Sequence, residues 1–542
     1  MDEKKIAVIV YKTNDKLYEE TVGSIQQLST PENFSVEIIL AEGANKYAAF
    51  DSAMKQSDAK YKIYLDDCIS IRQKNILSEI VKLFKSNEKI GVIGCSGATA
   101  LSTHGICLTS AKRCGKVLMG ANRVAKDWGN VDGNYQEVAV LDGWFMATQY
   151  DLNWRSDIFK NRSFGEAGQC VEFKRKGYKV VVIAQKKAWI WFKPKEIAID
   201  EESRLNFLKE YSEDLFPLVS VIIPTFNRPE YFKIALDSVL NQTYRNFEIL
   251  VSDNSTNDDT ENMMKEYCAR DKRIKYHRHH DFTANDNWNF ARSYNNPDAE
   301  FVNWLMDDDM FYPRKLELMV EAFRNNPDVS LVTSVRDTMD AAGNITGRMP
   351  DPLPSKILSK NVKLKGEDAG RLMFNTGKNY IGEPTTGLIR KKFLRNNDMC
   401  WTDEEGGFYS LVDISTWCQL LEHGNMFWFA EPLSAFRRHE KQATNWQGNG
   451  AIFEISWARL FKTSWEKKVF THTEDEIRER IINWIYSASL RLVNAHKTRY
   501  HGGEITTLEK TIVSMAQALS NGYHIDLPPR EYGDKTKAGR IS

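Results

Sequence analysis

Three consecutive aspartates follow an apolar run in the middle of the chain. The run, FVNWLMDDDM at 301–310, is predicted to be a buried strand that ends in Asp307, Asp308 and Asp309. Side chains alternate along a strand, so Asp307 and Asp309 are expected to point the same way. Two carboxylates at the carboxyl end of a buried strand form a hard-oxygen site that suits Mg²⁺ or Mn²⁺, and such a cation can neutralise a diphosphate. The residues alone also allow a helix N-terminus followed by a solvated loop, since Pro313 begins a plausible helix.

The elements that would position such acids alternate between strand and helix. In the first part of the chain, strands are predicted at 5–10, 35–40, 62–65, 90–94, 138–148 and 179–184, with helices between the first four. This alternation is typical of a doubly wound, mostly parallel sheet, in which ligands lie at the carboxyl ends of the strands. Tyr11, Glu42 and Asp67 fall at those ends, and Asp142 interrupts the apolar run VAVLDGWFMAT, where burial is costly unless the acid is paired or functional.

The same order of elements starts again after a charged helical stretch at 193–216. Strands are then predicted at 219–224, 247–251, 274–277, 301–310 and 329–333. We therefore predict a domain at 1–195, a linker at 196–216, a second domain at 217–445, a helical region at 446–530 and a polar tail at 531–542. Residues 97–137 are less regular, and the sequence leaves open whether they form a mobile loop over the site or an insertion.

The helical region shows a capping box at Thr473–Glu476, followed by apolar residues at helical spacing. These apolar faces favour an intramolecular core over an oligomer contact, although a homo-oligomer through the C-terminal helices stays open.

Composition excludes some classes of function. The 542 residues contain 73 Lys plus Arg and 73 Asp plus Glu, so no excess of positive charge indicates a nucleic-acid partner. No apolar run is long enough for a transmembrane helix, and the N-terminus lacks the apolar region of a signal peptide. The eight cysteines form no CxxC pair, so neither a zinc ribbon nor a disulfide framework is indicated. We expect a reduced, cytoplasmic protein.

The segment VSVIIPTFNRPEYFKIALDSVLNQTYRNFEILVSDNSTNDDT resembles the opening of family 2 glycosyltransferases of the GT-A fold, and the match continues through the three aspartates to about His439. The resemblance implies a nucleotide pocket lined by Pro224, Thr225, Asn227, Asp253 on the uracil edge, Asn287 near the nucleoside and Asp307 at the ribose. It implies Asp309 as the metal ligand, His439 as a metal or diphosphate contact, and an acceptor side at Gly382–Gly387 that includes Glu383, Thr385 and Thr386.

Asp413, in LVDISTW, matches the general base of inverting members. An inverting transfer needs a carboxylate that takes the proton of the acceptor hydroxyl and a divalent cation for the leaving diphosphate. From the residues alone, Asp413 is equally interpreted as a helix N-cap, because it begins an apolar helical pattern. His439 similarly has an alternative as a surface histidine beside two arginines, and Asp253 as a turn residue.

The first part of the chain is a looser match. LDGWFMATQYDL, GEAGQCVEFKRKGYKVVVIA and ANKYAAFDSAMKQSDAKYKIYLDD resemble the glycosyltransferase-like domain named after a streptomycin-biosynthesis protein. The resemblance implies Asp67 as the metal acid, a nucleotide side formed by Tyr11, Glu42, Asn45 and Asp66, and Asp142 as the catalytic candidate on the acceptor side. The first part departs from the family pattern, since Glu42 stands where an aspartate is usual and Asp66-Asp67-Cys68 is not a full DxD.

Taken together, the resemblance implies an α/β chain of two tandem GT-A domains, which are Rossmann-like with mostly parallel sheets, plus a C-terminal helical region. Such a chain is similar to the bifunctional bacterial glycosyltransferases that extend O-glycans on serine-rich repeat adhesins. The expected substrates are UDP-sugars with Mn²⁺ or Mg²⁺, and the expected acceptor is a glycosylated Ser/Thr-rich protein. The alternatives are a capsule or cell-wall polysaccharide synthase with two alternating sites, or a single active transferase whose N-terminal domain only binds glycan.

Overall fold

The computed structural model describes residues 1–129, 131–161, 163–193, 199–349, 356–394, 401, 411–440 and 449–529. The chain divides into two compact units, Met1–Phe216 and Pro217–Ser542. The predicted tail at 531–542 lies outside the described residues. No helix in the described part combines the length and the apolar character needed to cross a membrane.

The first unit is built on a mixed sheet with the order β2-β1-β3-β11-β5-β12-β9. Its strands are β1 (Asp2–Tyr11), β2 (Ser35–Ala41), β3 (Ala59–Asp66), β4 (Ile69–Ile71), β5 (Ile90–Gly94), β6 (Ser96–Ala100), β7 (Lys112–Met119), β8 (Val124–Asp127), β9 (Tyr135–Glu137), β10 (Val140–Leu141), β11 (Met146–Thr148), β12 (Lys179–Ile183) and β13 (Ile190–Phe192). Its helices are α1 (Asp15–Gln26), α2 (Lys46–Lys55), α3 (Ile76–Ser86), α4 (Gly165–Arg175) and α5 (Glu201–Leu215).

Strands β1, β2 and β3 are parallel, so their carboxyl ends meet at one edge, whereas β11 runs antiparallel between β3 and β5. The all-apolar run of β1 is buried on both faces, as expected for a strand covered by helices on each side.

Two segments of the first unit contain more regular structure than their sequence reveals. Residues 97–137, left open above as a mobile loop or an insertion, contain most of β6 and all of β7, β8 and β9. Strands β6, β7 and β8 contribute to a second sheet with the order β10-β6-β7-β13-β4, whereas β9 pairs with β12 in the first sheet. The segment predicted as a linker contains helix α5, which packs on α4 within the first unit. Phe207, Leu208 and Tyr211 bury one side of α5, and this apolar face makes the helix part of the domain.

The second unit repeats the plan with the strand order β16-β15-β14-β17-β22-β19-β23-β18. Its strands are β14 (Leu218–Thr225), β15 (Phe247–Asp253), β16 (Ile274–Arg278), β17 (Ala299–Trp304), β18 (Met310–Phe311), β19 (Val329–Met339), β20 (Ile345–Arg348), β21 (Val362–Leu364), β22 (Leu388–Arg390) and β23 (Asn425–Arg437). Its helices are α6 (Pro229–Leu240), α7 (Asp259–Arg270), α8 (Ala284–Ser293), α9 (Lys315–Asn325), α10 (Gly366–Thr376), α11 (Val412–His423), α12 (Asn449–Lys467), α13 (Glu474–Lys497) and α14 (Gly503–Ala518).

Strands β14 to β17 are parallel, and β22 is antiparallel to β17 as β11 is to β3. The predicted α/β architecture of two sheet domains with C-terminal helices is thus confirmed.

The C-terminal helices pack against the second domain. The predicted capping box is present, with Thr473 and Glu476 satisfying each other's backbone N–H groups at the start of α13. Ile477, Ile481 and Trp484 are buried in the same apolar cluster as β17 and α11. One face of α13 is therefore intramolecular core.

Candidate active sites

The three aspartates of the second domain lie in a turn rather than on a strand. Strand β17 ends at Trp304, and the Asp309 amide donates to the Met306 carbonyl 3.1 Å away, which closes the turn. The expected alternation of faces therefore does not apply here. Each acid has its own set of partners, and these partners determine which carboxylate is available to a ligand.

Asp307 holds the loop between β14 and α6. Its Oδ2 accepts a hydrogen bond from the Thr225 hydroxyl at 2.9 Å, and Arg228 lies 3.5 Å from its Oδ1. Burial, together with the neighbouring charge of Asp308, raises the pKa of Asp307 to about 7.

Asp309, assigned above to the metal, is fully buried and satisfied within the protein. The Arg437 amide donates to its Oδ1 at 3.0 Å, and the Thr385 hydroxyl donates to its Oδ2 at 2.6 Å. Burial raises its pKa well above the usual range, with further contributions from Asp308 and Glu383. In this arrangement Asp309 anchors the turn to β23 and to the 382–387 loop.

Asp308 faces the charged and aromatic side chains of two other elements. Its Oδ2 lies 3.0 Å from His439 Nε2 and 3.4 Å from the Arg228 guanidinium. The His439 ring packs on Tyr231 of α6 with 5.3 Å between ring centroids. Behind the turn, the Arg437 guanidinium donates to the Asp308 carbonyl at 2.7 Å. A carboxylate, an imidazole and a guanidinium thus converge beside the strand ends.

The residues predicted for the nucleotide pocket lie at the ends of β14 and β15. Pro224 and Thr225 end β14, level with Ser252 and Asp253 of β15. Asn227 has a left-handed backbone with φ of 52°, and its amide group bonds Thr256 in the loop after β15. This contact joins the two loops across the sheet edge.

Two of these polar residues make internal contacts. Asp253 is completely buried and accepts bonds from Tyr276 at 2.7 Å and Arg278 at 3.0 Å. Asn287, in the first turns of α8, bonds the hydroxyl and carbonyl of Ser252 at 2.5 and 3.1 Å. Both residues thus brace the carboxyl ends of β14 and β15.

Asp413 lies in the first turn of α11, two residues after Leu411, which takes the N-cap position with φ of 59°. The N-cap alternative therefore does not apply. Asn379 donates to Asp413 Oδ2 at 2.7 Å, and the same Asn379 amide group donates to the Gly382 carbonyl at 2.9 Å. Burial raises the pKa of Asp413 to about 6. The carboxylate is ionised at neutral pH and basic enough to accept a proton.

The predicted acceptor loop connects this acid to the aspartate turn. Glu383 pairs with Arg336 at 2.7 Å, and Thr386 bonds the backbone of its own loop. Thr385 reaches Asp309, as described above. Beneath the loop, the Lys315 ammonium donates to the Thr386 carbonyl at 2.8 Å, and burial lowers its pKa to about 7.

The paired acids of the first domain have different partners. Asp67 is buried and accepts bonds from the Thr13 and Asn14 amides, the latter at 2.8 Å, so it caps the loop between β1 and α1. Asp66 pairs with the Lys46 ammonium at 2.7 Å. Lys46 is almost fully buried and also pairs with Glu166. Both carboxylates are thus engaged within the first domain.

Glu166 occupies a position that matches that of Asp413. It is the second residue of α4, after an N-cap residue, Phe164, whose φ of 69° is also left-handed. The Tyr47 hydroxyl donates to Glu166 Oε2 at 2.7 Å. Helices α4 and α11 each follow the antiparallel strand of their sheet, so the two acids lie at equivalent places in the two domains.

The other residues predicted in the first domain are separate from this cluster or only border it. Asp142 is buried against Ser96 and Arg113, each 2.5 Å from its Oδ2, and the Arg113 guanidinium stacks on Trp128. Tyr11 donates its hydroxyl to the Gly43 carbonyl at 2.7 Å. Glu42 is exposed and pairs with Lys12 at 3.4 Å. Asn45 caps α2 by accepting from the Tyr47 and Ala48 amides.

The sequence analysis missed several residues at these sites, namely Lys46, Glu166, Arg228, Asn379 and Arg437. Only Glu166 carried a signal in the sequence. It lies 11 residues before Gly177 as Asp413 lies 11 residues before Gly424, and each glycine follows directly after its helix or one residue later. The other four are recognised only from their contacts.

Each domain matches a model of a glycosyltransferase family. Residues 7–211 match the family described as Glycosyltransferase like family, and residues 220–395 match Glycosyl transferase family 2. The two matches lie one in each compact unit. The chain therefore carries two glycosyltransferase domains in tandem.

Curated relatives agree with these matches over part of their length. An uncharacterized glycosyltransferase of Methanocaldococcus jannaschii is 35% identical over 154 residues, which cover 27% of this chain and 50% of the relative. GalNAc(5)-diNAcBac-PP-undecaprenol beta-1,3-glucosyltransferase of Campylobacter jejuni is 34% identical over 105 residues, covering 19% of this chain and 34% of the relative. The chain thus spans half or less of the length of these two relatives.

Among solved structures, S. aureus TarS 1–349 in complex with UDP-GlcNAc aligns with 57% of this chain and 93% of its own, at 15% identity and a TM-score of 0.35.

Proposed function

We propose that the chain, with its two glycosyltransferase domains, is a two-site enzyme that transfers sugars stepwise from UDP-sugar donors onto an O-linked glycan. The proposed acceptor is the glycan of a serine-rich repeat adhesin, modified in the cytoplasm. The observation that carries the proposal is the chain of contacts in the second domain from Asp413 through Asn379 to the 382–387 loop, and from Thr385 of that loop to Asp309. It links a base of suitable pKa to the aspartate turn at the strand ends.

In the second domain, Asp413 takes the proton of the acceptor hydroxyl as its oxygen attacks the anomeric carbon. The bond from that carbon to the diphosphate breaks and UDP leaves from the opposite face, which inverts the anomeric centre. Asn379 orients the Asp413 carboxylate for this proton transfer, and the ion pair of Glu383 and Arg336 lines the acceptor side. Arg228 lies beside Asp308, where its guanidinium can bind the oxygens of a diphosphate. Asp307 and Thr225 complete the nucleotide side.

The donor set around Asp308 fits a divalent cation better than that around Asp309. Asp308 and His439 supply one carboxylate oxygen and one imidazole nitrogen 3.0 Å apart, whereas both oxygens of Asp309 already accept hydrogen bonds. The described residues contain no group of three or more such ligands. We therefore propose Asp308 and His439 as the protein ligands of Mn²⁺ or Mg²⁺, with phosphate oxygens and water in the other positions. Such a cation would offset the charge of the leaving diphosphate.

In the first domain, we propose Glu166 as the base in place of Asp142. Its position on α4 equals that of Asp413 on α11, and it shares Lys46 with the strand-end acid Asp66, whereas Asp142 pairs with Arg113 outside this cluster. Lys46 supplies a positive charge beside Asp66, and neither Asp66 nor Asp67 is left free by its internal contacts. In this arrangement the positive charge of the first active site comes from Lys46, whereas that of the second would come from a metal ion at Asp308 and His439.

Incubation with a panel of UDP-sugars, Mn²⁺ and a GlcNAc-bearing Ser/Thr peptide tests the proposal, with the product masses as readout. Stepwise extension gives products with one and two added sugars and then stops. A ladder of longer products with two donors present would support the alternative, a capsule or wall-polymer synthase. A product with one added sugar, abolished by Asp413→Asn and unchanged by Glu166→Gln, would support a non-catalytic, glycan-binding first domain. No added sugar from any donor on this peptide would refute the proposed acceptor, and no donor hydrolysis in addition would refute the transferase activity.

A further inference from the structure

One face of α13 carries large apolar side chains that the rest of the described chain leaves uncovered. Ile482, Tyr486, Leu490 and Val493 have exposed fractions of 51%, 69%, 54% and 50%. Steps of four, four and three residues keep them on a single helix face, here called the apolar stripe of α13. The opposite face of the same helix is buried in the core. Helix α13 therefore has a second apolar face, which the described residues of its own domain do not cover.

Charged residues extend the stripe at both ends. Glu479 lies three residues before Ile482, and Lys497 lies four residues after Val493, so both continue the same line along the helix. Both side chains are exposed. From Glu479 to Lys497 the line measures about 27 Å at the rise of an α-helix. It therefore has an acid at one end, apolar groups along its middle and a base at the other end.

We propose that the apolar stripe of α13 pairs with the stripe of a second copy of this chain, with the two helices antiparallel about a two-fold axis. When the axis crosses the stripe midway between Tyr486 and Leu490, Glu479 of each copy faces Lys497 of the other, and Tyr486 faces Leu490. The surface is then complementary to itself, as the isologous interface of a symmetric dimer requires. A parallel pair would instead place Glu479 against Glu479 and Lys497 against Lys497.

The pattern of charge favours a second copy over a lipid surface. Helices that lie on membranes are rich in Lys and Arg on their polar face, whereas α13 begins with Glu474, Asp475 and Glu476. An anionic lipid surface would repel this end of the helix, while the basic end of an antiparallel partner would attract it. One helix from each copy makes a small interface, so we expect a dissociation constant on the order of 1–50 µM.

Sedimentation velocity of the full chain over a concentration series tests the proposal. We expect a concentration-dependent dimer, and we expect Tyr486→Glu to raise the dissociation constant by about tenfold or more, because the change acts twice in a two-fold interface. Ile345→Glu is the matched control, since Ile345 is 48% exposed on β20, remote from α13 in sequence, and should leave the dimer unchanged. A wild-type chain that stays monomeric at 100 µM, or a dimer that Tyr486→Glu leaves intact, would overturn the proposal.

A reciprocal charge exchange tests the antiparallel orientation. Glu479→Lys and Lys497→Glu should each weaken the dimer by about three- to tenfold, because like charges then face each other twice, and the double variant should restore it. Single exchanges without effect would exclude the antiparallel arrangement. Flotation with anionic vesicles, lost in Tyr486→Glu while the chain remains monomeric, would assign the stripe to a membrane and refute the dimer.

Discussion

In the second domain, the turn after β17 presents Asp308 to His439 and Arg228, while Asp307 and Asp309 hold that turn in place. In the first domain, the end of β3 carries Asp66, which pairs with a buried lysine, and the turn after it carries Asp67, which accepts hydrogen bonds from the β1–α1 loop. Paired acids at equivalent strand ends thus have different partners. The comparison teaches that the availability of a carboxylate to a cation depends on its neighbours, and not on its place at the end of a strand.

The largest expected effect separates the two proposed bases. Asp413→Asn should lower transfer by the second domain by about 10²–10⁴-fold and leave donor binding intact, because only the proton acceptor is lost. Glu166→Gln should do the same to the other transfer. Mass spectrometry of products with each variant measures both steps in one reaction, and each variant serves as the control for the other. Because extension is stepwise, the variant that blocks the first addition should also stop the second, and a once-extended acceptor should restore the second addition in that variant. Failure of that variant on the once-extended acceptor would mean that the two sites do not act separately.

The next largest effect is expected from removal of divalent cations, which should slow transfer by the two domains to different extents. Chelation, or Asp308→Asn, should slow transfer by the second domain by about 100-fold, because the diphosphate then leaves without charge compensation. The step assigned to the first domain should respond less, since Lys46 already supplies a positive charge there. Rates with EDTA and after return of Mn²⁺ measure this difference. An equal loss in both steps would contradict the proposed difference in cation between the two domains. Full activity of Asp308→Asn with normal Mn²⁺ dependence would show that another acid binds the metal.

The pH dependence of transfer by the second domain should follow the ionisation of Asp413. Its pKa of about 6 means that the carboxylate is ionised and active above pH 7, whereas protonation should lower the rate by about tenfold per pH unit below pH 6. Asn379→Ala should shift this midpoint upward, because Asn379 donates to the charged form and its loss favours the protonated acid. A kcat profile from pH 5 to 8 measures both values. An unchanged midpoint in Asn379→Ala would show that this hydrogen bond does not set the pKa.

The smallest effect concerns stability. Asp309→Ala should lower the free energy of unfolding of the second domain by about 1–3 kcal/mol, because the Thr385 hydroxyl and the Arg437 amide lose their acceptor. Burial raises the pKa of Asp309 in the folded state, so the folded chain loses stability as pH rises through that value. Asp309→Asn cannot ionise and should be at least as stable as the wild type at pH 8. Urea unfolding of the three proteins checks this, and an Asn variant that is less stable than the Ala variant would contradict this anchoring role of Asp309.

Much of the architecture could be predicted because periodicity and strand-end chemistry are local. The apolar runs of β1, β14 and β15 and the capping box of α13 follow directly from adjacent residues. The strand assigned to 301–310 was too long, because an apolar run does not reveal where the backbone turns. The sequence left residues 97–137 undecided for a related reason, since the partners of β7 and β9 are distant in sequence, and so is helix α4, on which α5 of the predicted linker packs.

The sequence by itself determined the two-domain α/β plan and the acids at two strand ends, since these depend on residue type and short-range spacing. Asp413 became a candidate base only through the resemblance to family 2 glycosyltransferases. Only the tertiary structure decided which side chains and amides pair with each acid. Arg437 meets the aspartate turn from 128 residues away, and Lys46 meets Glu166 from 120 residues away. The charge state and availability of a buried carboxylate depend on the groups within a few ångströms of it, and these groups come together only when the chain folds.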